Sequence, residues 1–136
     1  MARDVYSGYL KLDGEENRRT LIAANTYAAM LKDLQRFKEA KRLLRKEMPI
    51  TRRVLGECDS ITLKTRWLYA MVLYQDPAAT IDDLRESLTE HEEMERIARR
   101  VFGGAHPLTS VIEASLRNSR TVIRAREDGK EVKFVY

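Results

Sequence analysis

The chain has 136 residues, 43% apolar and 34% charged, with 3 Pro and 6 Gly. That length suits about one domain, and the composition excludes collagen-like and Pro-rich linker classes. No apolar run approaches the roughly 20 residues of a membrane span, and Met1-Ala2-Arg3-Asp4-Val5 lacks the apolar core of a secretory signal. A net charge of +4 is too mild to name a partner class, and a single Cys58 cannot close an internal disulfide, so a reducing, cytoplasmic setting is expected.

In chain order the pattern is helical. Residues 4–12 open the chain and lead to Gly14. From Arg18 to Lys32 the apolar positions Leu21, Ala24, Tyr27, Ala28 and Leu31 recur at spacings of three and four, which predicts an amphipathic helix. Asp33-Leu34-Gln35-Arg36 breaks it. Phe37, Ala40, Leu43, Leu44, Ile50, Val54 and Leu55 carry a second helix to Gly56, a C-terminal cap by type. Pro49 is expected to kink that helix or interrupt it. The next pair runs from about Ser60 to Tyr74 and from about Thr80 to Phe102, with Thr80 as N-cap and Asp83 as first-turn acid. A last helix opens after His106-Pro107 and continues to about Arg126. The tail, 129–136, alternates charged and apolar residues like a strand, but a lone strand has nothing to pair with, so an extended or disordered end is expected.

The chain also matches itself. Leu12-Asp13-Gly14-Glu15-Glu16, Leu55-Gly56-Glu57-Cys58-Asp59 and Phe102-Gly103-Gly104-Ala105-His106 align, with 42 positions from Gly14 to Gly56 and 47 from Gly56 to Gly103. Thr20, Thr62 and Thr109 follow at one offset, Tyr27-Ala28 matches Tyr69-Ala70, and Leu31 matches Leu73. Helix pairs that recur at such a period cannot bury their apolar faces alone and must stack on their neighbours.

These residues resemble tetratricopeptide (TPR) repeats of the longer, kinesin-light-chain type. The first copy reads Thr20-Leu21, Tyr27-Ala28, Leu31, Phe37-Lys38-Glu39-Ala40, Leu43-Leu44 and Val54-Leu55-Gly56-Glu57. The second keeps Thr62-Leu63, Tyr69-Ala70, Leu73 and Val101-Phe102-Gly103, without the aromatic-Lys-Glu-Ala segment. The third keeps Ala105-His106-Pro107-Leu108-Thr109 and then departs, with Arg117 in the place of Ala28 and Ala70. The chain is also similar to degenerate algal TPR arrays. The resemblance covers about residues 10–120 and implies an all-α fold, a right-handed α–α superhelix of about six helices. Within one domain over 1–128 it implies a partial repeat 1–14, repeats 15–56 and 57–103, and a final helix 104–127. Helix-pair solenoids of the HEAT or armadillo kind are the alternative.

In TPR arrays the first helix of each pair lines a concave groove. The face opposite Tyr27 and Tyr69 then supplies the candidate partner-binding residues: Asn25, Ala29 and Lys32, then Lys64, Trp67, Met71 and Tyr74, then Asn118 and Thr121. Aromatic and Met side chains are enriched at interface hot spots, although an aromatic stripe at helical spacing also suits a core. The resemblance implies non-catalytic binding of a peptide or helix of a partner protein, in a scaffold or adaptor role. The alternative is a self-assembling structural module, a homodimer formed through solenoid ends or groove, because Val5, Tyr6, Tyr9, Leu10 and Leu12 load the opening helix with apolar surface.

Charge is segregated, with Arg36, Lys38, Lys41, Arg42, Arg45, Lys46, Arg52 and Arg53 on the second helix and Asp82, Asp83, Glu86, Glu90, Glu92, Glu93 and Glu95 on the fourth. Opposite signs on neighbouring helices can set register or join molecules end to end. Nucleic acid is disfavoured as a partner, because the facing acids repel phosphate and no stacking aromatics interleave the basic run. His91-Glu92-Glu93-Met94-Glu95 lacks the second His of a zinc protease, and Cys58, His91 and His106 lack the paired spacings of a zinc site. Neither a Gly-rich phosphate loop nor a nucleophile elbow occurs. No catalytic residue, metal ligand, cofactor or membrane partner is expected.

Overall fold

The computed structural model describes residues 1–129. It contains α1 (Ala2–Asp13), α2 (Arg18–Asp33), α3 (Phe37–Leu55), α4 (Ser60–Gln75), α5 (Ile81–Phe102) and α6 (Pro107–Glu127), with no strand among the described residues. The strand-like stretch 130–136 lies outside them.

Cap chemistry sets the boundaries. Gly14, Gly56 and Gly103 end α1, α3 and α5 with φ of 80°, 85° and 86°, beside extended ψ, a region that is essentially glycine's alone. Three residues later Asn17, Asp59 and His106 turn their side chains back. They accept from the backbone N–H of Arg19, Ile61 and Leu108 at 2.9, 2.8 and 3.0 Å, which caps α2, α4 and α6. The stretches that match in sequence therefore share one loop conformation. A capping box opens α5, where Thr80 and Asp83 exchange bonds of 3.1 Å each. The expected break at Pro49 is absent, and α3 runs through it. Pro49 stands on the exposed side of α3, where water can take the hydrogen bond that its missing N–H leaves over.

Each helix packs on its neighbours in sequence and α4 also on α2 and α6, while among the described residues α1 meets α3, and α3 meets α5, through long side chains. With α1 and α6 apart at the two ends, the arrangement is open. α4 has four partners, which is why it is buried almost all round, from Thr62 to Tyr74. One core cluster joins Ala28 and Leu31 of α2, Ala40, Leu44 and Met48 of α3, and Leu68, Tyr69, Val72 and Leu73 of α4. A second joins Leu63 and Ala70 to Met94 and Ala98 of α5 and to Leu108 and Ile112 of α6. At Ala70, fully buried, helices come close enough for Ser87 of α5 to donate to its carbonyl at 2.7 Å. Tyr6 ties α1 to α3 by donating to the buried Glu47 at 2.8 Å; burial pushes the Glu47 carboxyl above its usual pKa, the Tyr6 bond partly opposing.

The segregated charges meet within the chain. Lys41, Arg45 and Arg52 of α3 pair with Asp83, Glu86 and Glu90 of α5 at 3.2, 4.0 and 3.8 Å. Arg66, 2% exposed, reaches Glu93, Glu90 and Glu57 at 2.6, 2.9 and 3.3 Å. A guanidinium with five donors in a fixed fork is the side chain suited to three carboxylates at once. These pairs set the register of α3, α4 and α5.

Candidate partner-binding cleft

On α2 the spacings from Asn25 to Ala29 to Lys32 are four and three, and on α4 those from Lys64 to Trp67 to Met71 are three and four. Each set shares one helix face. Because α2 packs beside α4, the two faces border one cleft of about 210 Å³, lined by these six residues with Asp33 and Leu68. Trp67 is half-buried and spans two core clusters, touching the group around Leu63 and Met94 and the group around Met71 and Leu84. Its place is therefore both cleft wall and core edge. Asn25 Oδ1 and Trp67 Nε1 are covered and have no hydrogen-bond partner among the described residues. Lys64 is exposed at the rim and has no ion pair among the described residues, while Lys32 Nζ lies 3.3 Å from Asp33.

Tyr74, expected in the groove, is a core residue instead. It is 2% exposed, clustered with Met71, Ala79, Leu84 and Val122. Its Oη lies 3.3 Å from Ser115 Oγ, and its ring centroid is 5.7 Å from that of His91. The physical reason is α6, which lies along α4 and covers its last turn with Ser115 and Val122. Thr121 is exposed on α6, donating to the Arg117 carbonyl of its own helix at 2.9 Å, and lines no part of the cleft. Asn118 is half-buried with an unpartnered Nδ2, also outside the cleft. Asp33 and Leu68 were missed by sequence reasoning. Asp33 reads as part of a polar break yet is the last helical residue of α2, and Leu68 carries no mark that separates cleft wall from core.

A buried polar chain lies behind the cleft. His91 Nδ1 is 2.8 Å from the Ser87 carbonyl and Nε2 is 2.6 Å from Ser115 Oγ. A carbonyl only accepts, so Nδ1 carries the proton and Ser115 donates to Nε2. Burial lowers the His91 pKa from the usual 6.5 to about 4, the Ser87 bond partly opposing. This Ser–His contact is closed off between α5 and α6, with His91 fully buried and Ser115 2% exposed.

No protein-family model matches the chain, and comparison with curated proteins and with solved structures finds no match. Among the described residues no helix is long and apolar enough to cross a membrane.

Proposed function

We propose that the chain is a TPR-like solenoid, a right-handed α–α superhelix, that serves as a non-catalytic protein-interaction module. It holds a peptide or helix of a partner protein in the α2–α4 cleft, as a scaffold or adaptor would. The recurring glycine-and-cap loops and the open succession of helices support the solenoid reading.

The observation that carries the binding reading is the meeting of an unpaired acceptor, Asn25 Oδ1, and an unpaired donor, Trp67 Nε1, in one cleft walled by Met71 and Leu68. A covered polar atom without a partner costs about 1–3 kcal/mol. A peptide backbone has one N–H and one C=O per residue and can satisfy both atoms, after the small side-chain rotations common at interfaces. Trp67 and Met71 add apolar contact, and Lys64 at the rim favours acidic neighbours in the ligand.

The test is a selection of binders from a random peptide library, followed by titration against the fluorescence of Trp67, the single tryptophan. Selected peptides are expected to shift its emission, and Trp67→Phe, which keeps the apolar ring and removes the N–H, should weaken binding by about 1–2 kcal/mol while the fold persists. No selected peptide, or equal binding to the variant, overturns the reading.

One further observation favours a second reading. A mainly apolar cleft of about 240 Å³ between α1 and α2 is lined by Ala2, Val5, Tyr9, Ile22 and Ala23 together with Arg19 and Thr26, with Val5 49% and Ile22 41% exposed. Two copies could cover this end mutually and form a homodimer.

A further inference from the structure

The outer flank of α6 departs from α2 and α4, and the departure is one of charge. By the recurrence, Arg117 stands where α2 has Ala28 and α4 has Ala70, and Arg120 stands where they have Leu31 and Leu73. Those four residues are 0–2% exposed, whereas Arg117 and Arg120 are exposed. On α4 this flank is where the following helix lies, since Ser87 of α5 donates to the Ala70 carbonyl at 2.7 Å. α6 is also longer, 21 residues against 16 in α2 and in α4. It continues past the point where the chain doubles back into α3 and α5, and so places Arg124 one turn beyond Arg120 on the same face. Among the described residues none of the three guanidinium groups has an ion pair or hydrogen bond, although Arg45, Arg52, Arg66 and Arg99 all do.

We propose that the Arg117–Arg120–Arg124 flank of α6 is a docking surface for an acidic amphipathic helix of a partner protein, lying along α6 as α3 lies along α2 and α5 along α4. The three residues span about 10 Å at 1.5 Å of rise per residue, a row that carboxylates three and four residues apart on a facing helix can match. Guanidinium groups pair with carboxylates through two parallel bonds, which adds direction to the charge attraction. The chain cannot supply this helix from a second copy. Glu86, Glu90, Glu93 and Glu95 of α5 are already engaged by Arg45, Arg66 and Arg99. The stretch 130–136 has one acid, Glu131, against two lysines, so it offers no neutralising charge. A nucleic acid would meet the same charge, but the flank carries no aromatic side chain on which bases could stack. This surface is independent of the α2–α4 cleft.

The probe is a labelled Ala-rich helical peptide of about 18 residues with its glutamates along one face, compared with a peptide of equal composition whose glutamates are spread around the helix, and with a single-stranded DNA of about 20 nucleotides. Fluorescence anisotropy at low salt should show the one-face peptide bound about tenfold more tightly than the spread one, with about tenfold loss in the triple variant R117A/R120A/R124A. Trp67→Phe should bind this probe like the wild type, so failure here and failure of the cleft reading are distinguishable. Circular dichroism checks the triple variant; if it is unfolded, Arg120→Glu alone, at an exposed position, replaces it and should weaken the one-face peptide. Equal affinity for the two peptides, unchanged binding by the variant, or tighter variant-sensitive binding of the DNA overturns the proposal.

Discussion

Trp67 and Tyr74 share one stripe of α4 and differ in fate because of what lies above each. Trp67 borders the gap between α2 and α4 and stays half-buried, while Tyr74 lies beneath α6 beside His91. His91 itself is held neutral, and the sign of its effect on stability follows. In the folded chain its pKa is about 4 and in the unfolded chain about 6.5. The unfolded state therefore binds more protons in that window, so the His91 contribution is present above pH 6.5 and is lost as pH falls toward 4. Urea unfolding at neutral pH and near pH 4 should show wild type losing about 2–4 kcal/mol more than His91→Gln over the interval. The difference between the two chains removes the contributions of Glu47 and Asp83, which titrate in both. Equal pH dependence would mean that His91 is solvated.

At the scale of elements, matching register positions should respond oppositely to truncation. Leu31 and Leu73 are 1% and 2% exposed, and Leu→Ala at either should cost about 2–5 kcal/mol by thermal or chemical unfolding. Arg117→Ala, at the position that repeats Ala28 and Ala70, should change stability by no more than about 0.5 kcal/mol. A large loss on Arg117→Ala, or none at Leu31 or Leu73, would mean that the registers of α2, α4 and α6 are wrongly aligned. The helices themselves were legible before any coordinates. Spacings of three and four placed α2 from Arg18, and Gly56 was read as a C-terminal cap, because these signals are local to a turn or two; that Gly14 and Gly103, aligned with it, cap helices too is seen in the fold. Of the two outcomes expected at Pro49, a kink or a break, the break does not occur, because whether a proline interrupts a helix depends on which side of it faces water.

For the whole molecule, the open succession of helices leaves two ends of unlike character, apolar at α1–α2 and basic at α6. Such ends do not fit head to tail, since burying the arginines against Val5 and Ile22 would strip them of water without a partner. Self-association, if it occurs, should be a symmetric dimer through α1–α2. Sedimentation equilibrium over micromolar concentrations should then give a dimer that Ile22→Lys converts to monomer; a wild-type monomer throughout removes the homodimer reading. Of the two roles that the charge segregation offered, setting register and joining molecules, the α3–α5 ion pairs within the chain match the first.

The amino-acid order alone determined the number of helices, most of their limits and which faces are apolar, since periodicity and capping depend on residues within about one turn of each other. The TPR resemblance named nine groove residues, and it is the packing of α2 beside α4 that puts six of them on one cleft. Only the tertiary structure decided that Tyr74 is core, that Trp67 belongs to wall and core together, and that Arg66 with its three carboxylates is buried. Each of these turns on which helix lies over which, and that contact joins residues far apart in the chain, where no local pattern can register it.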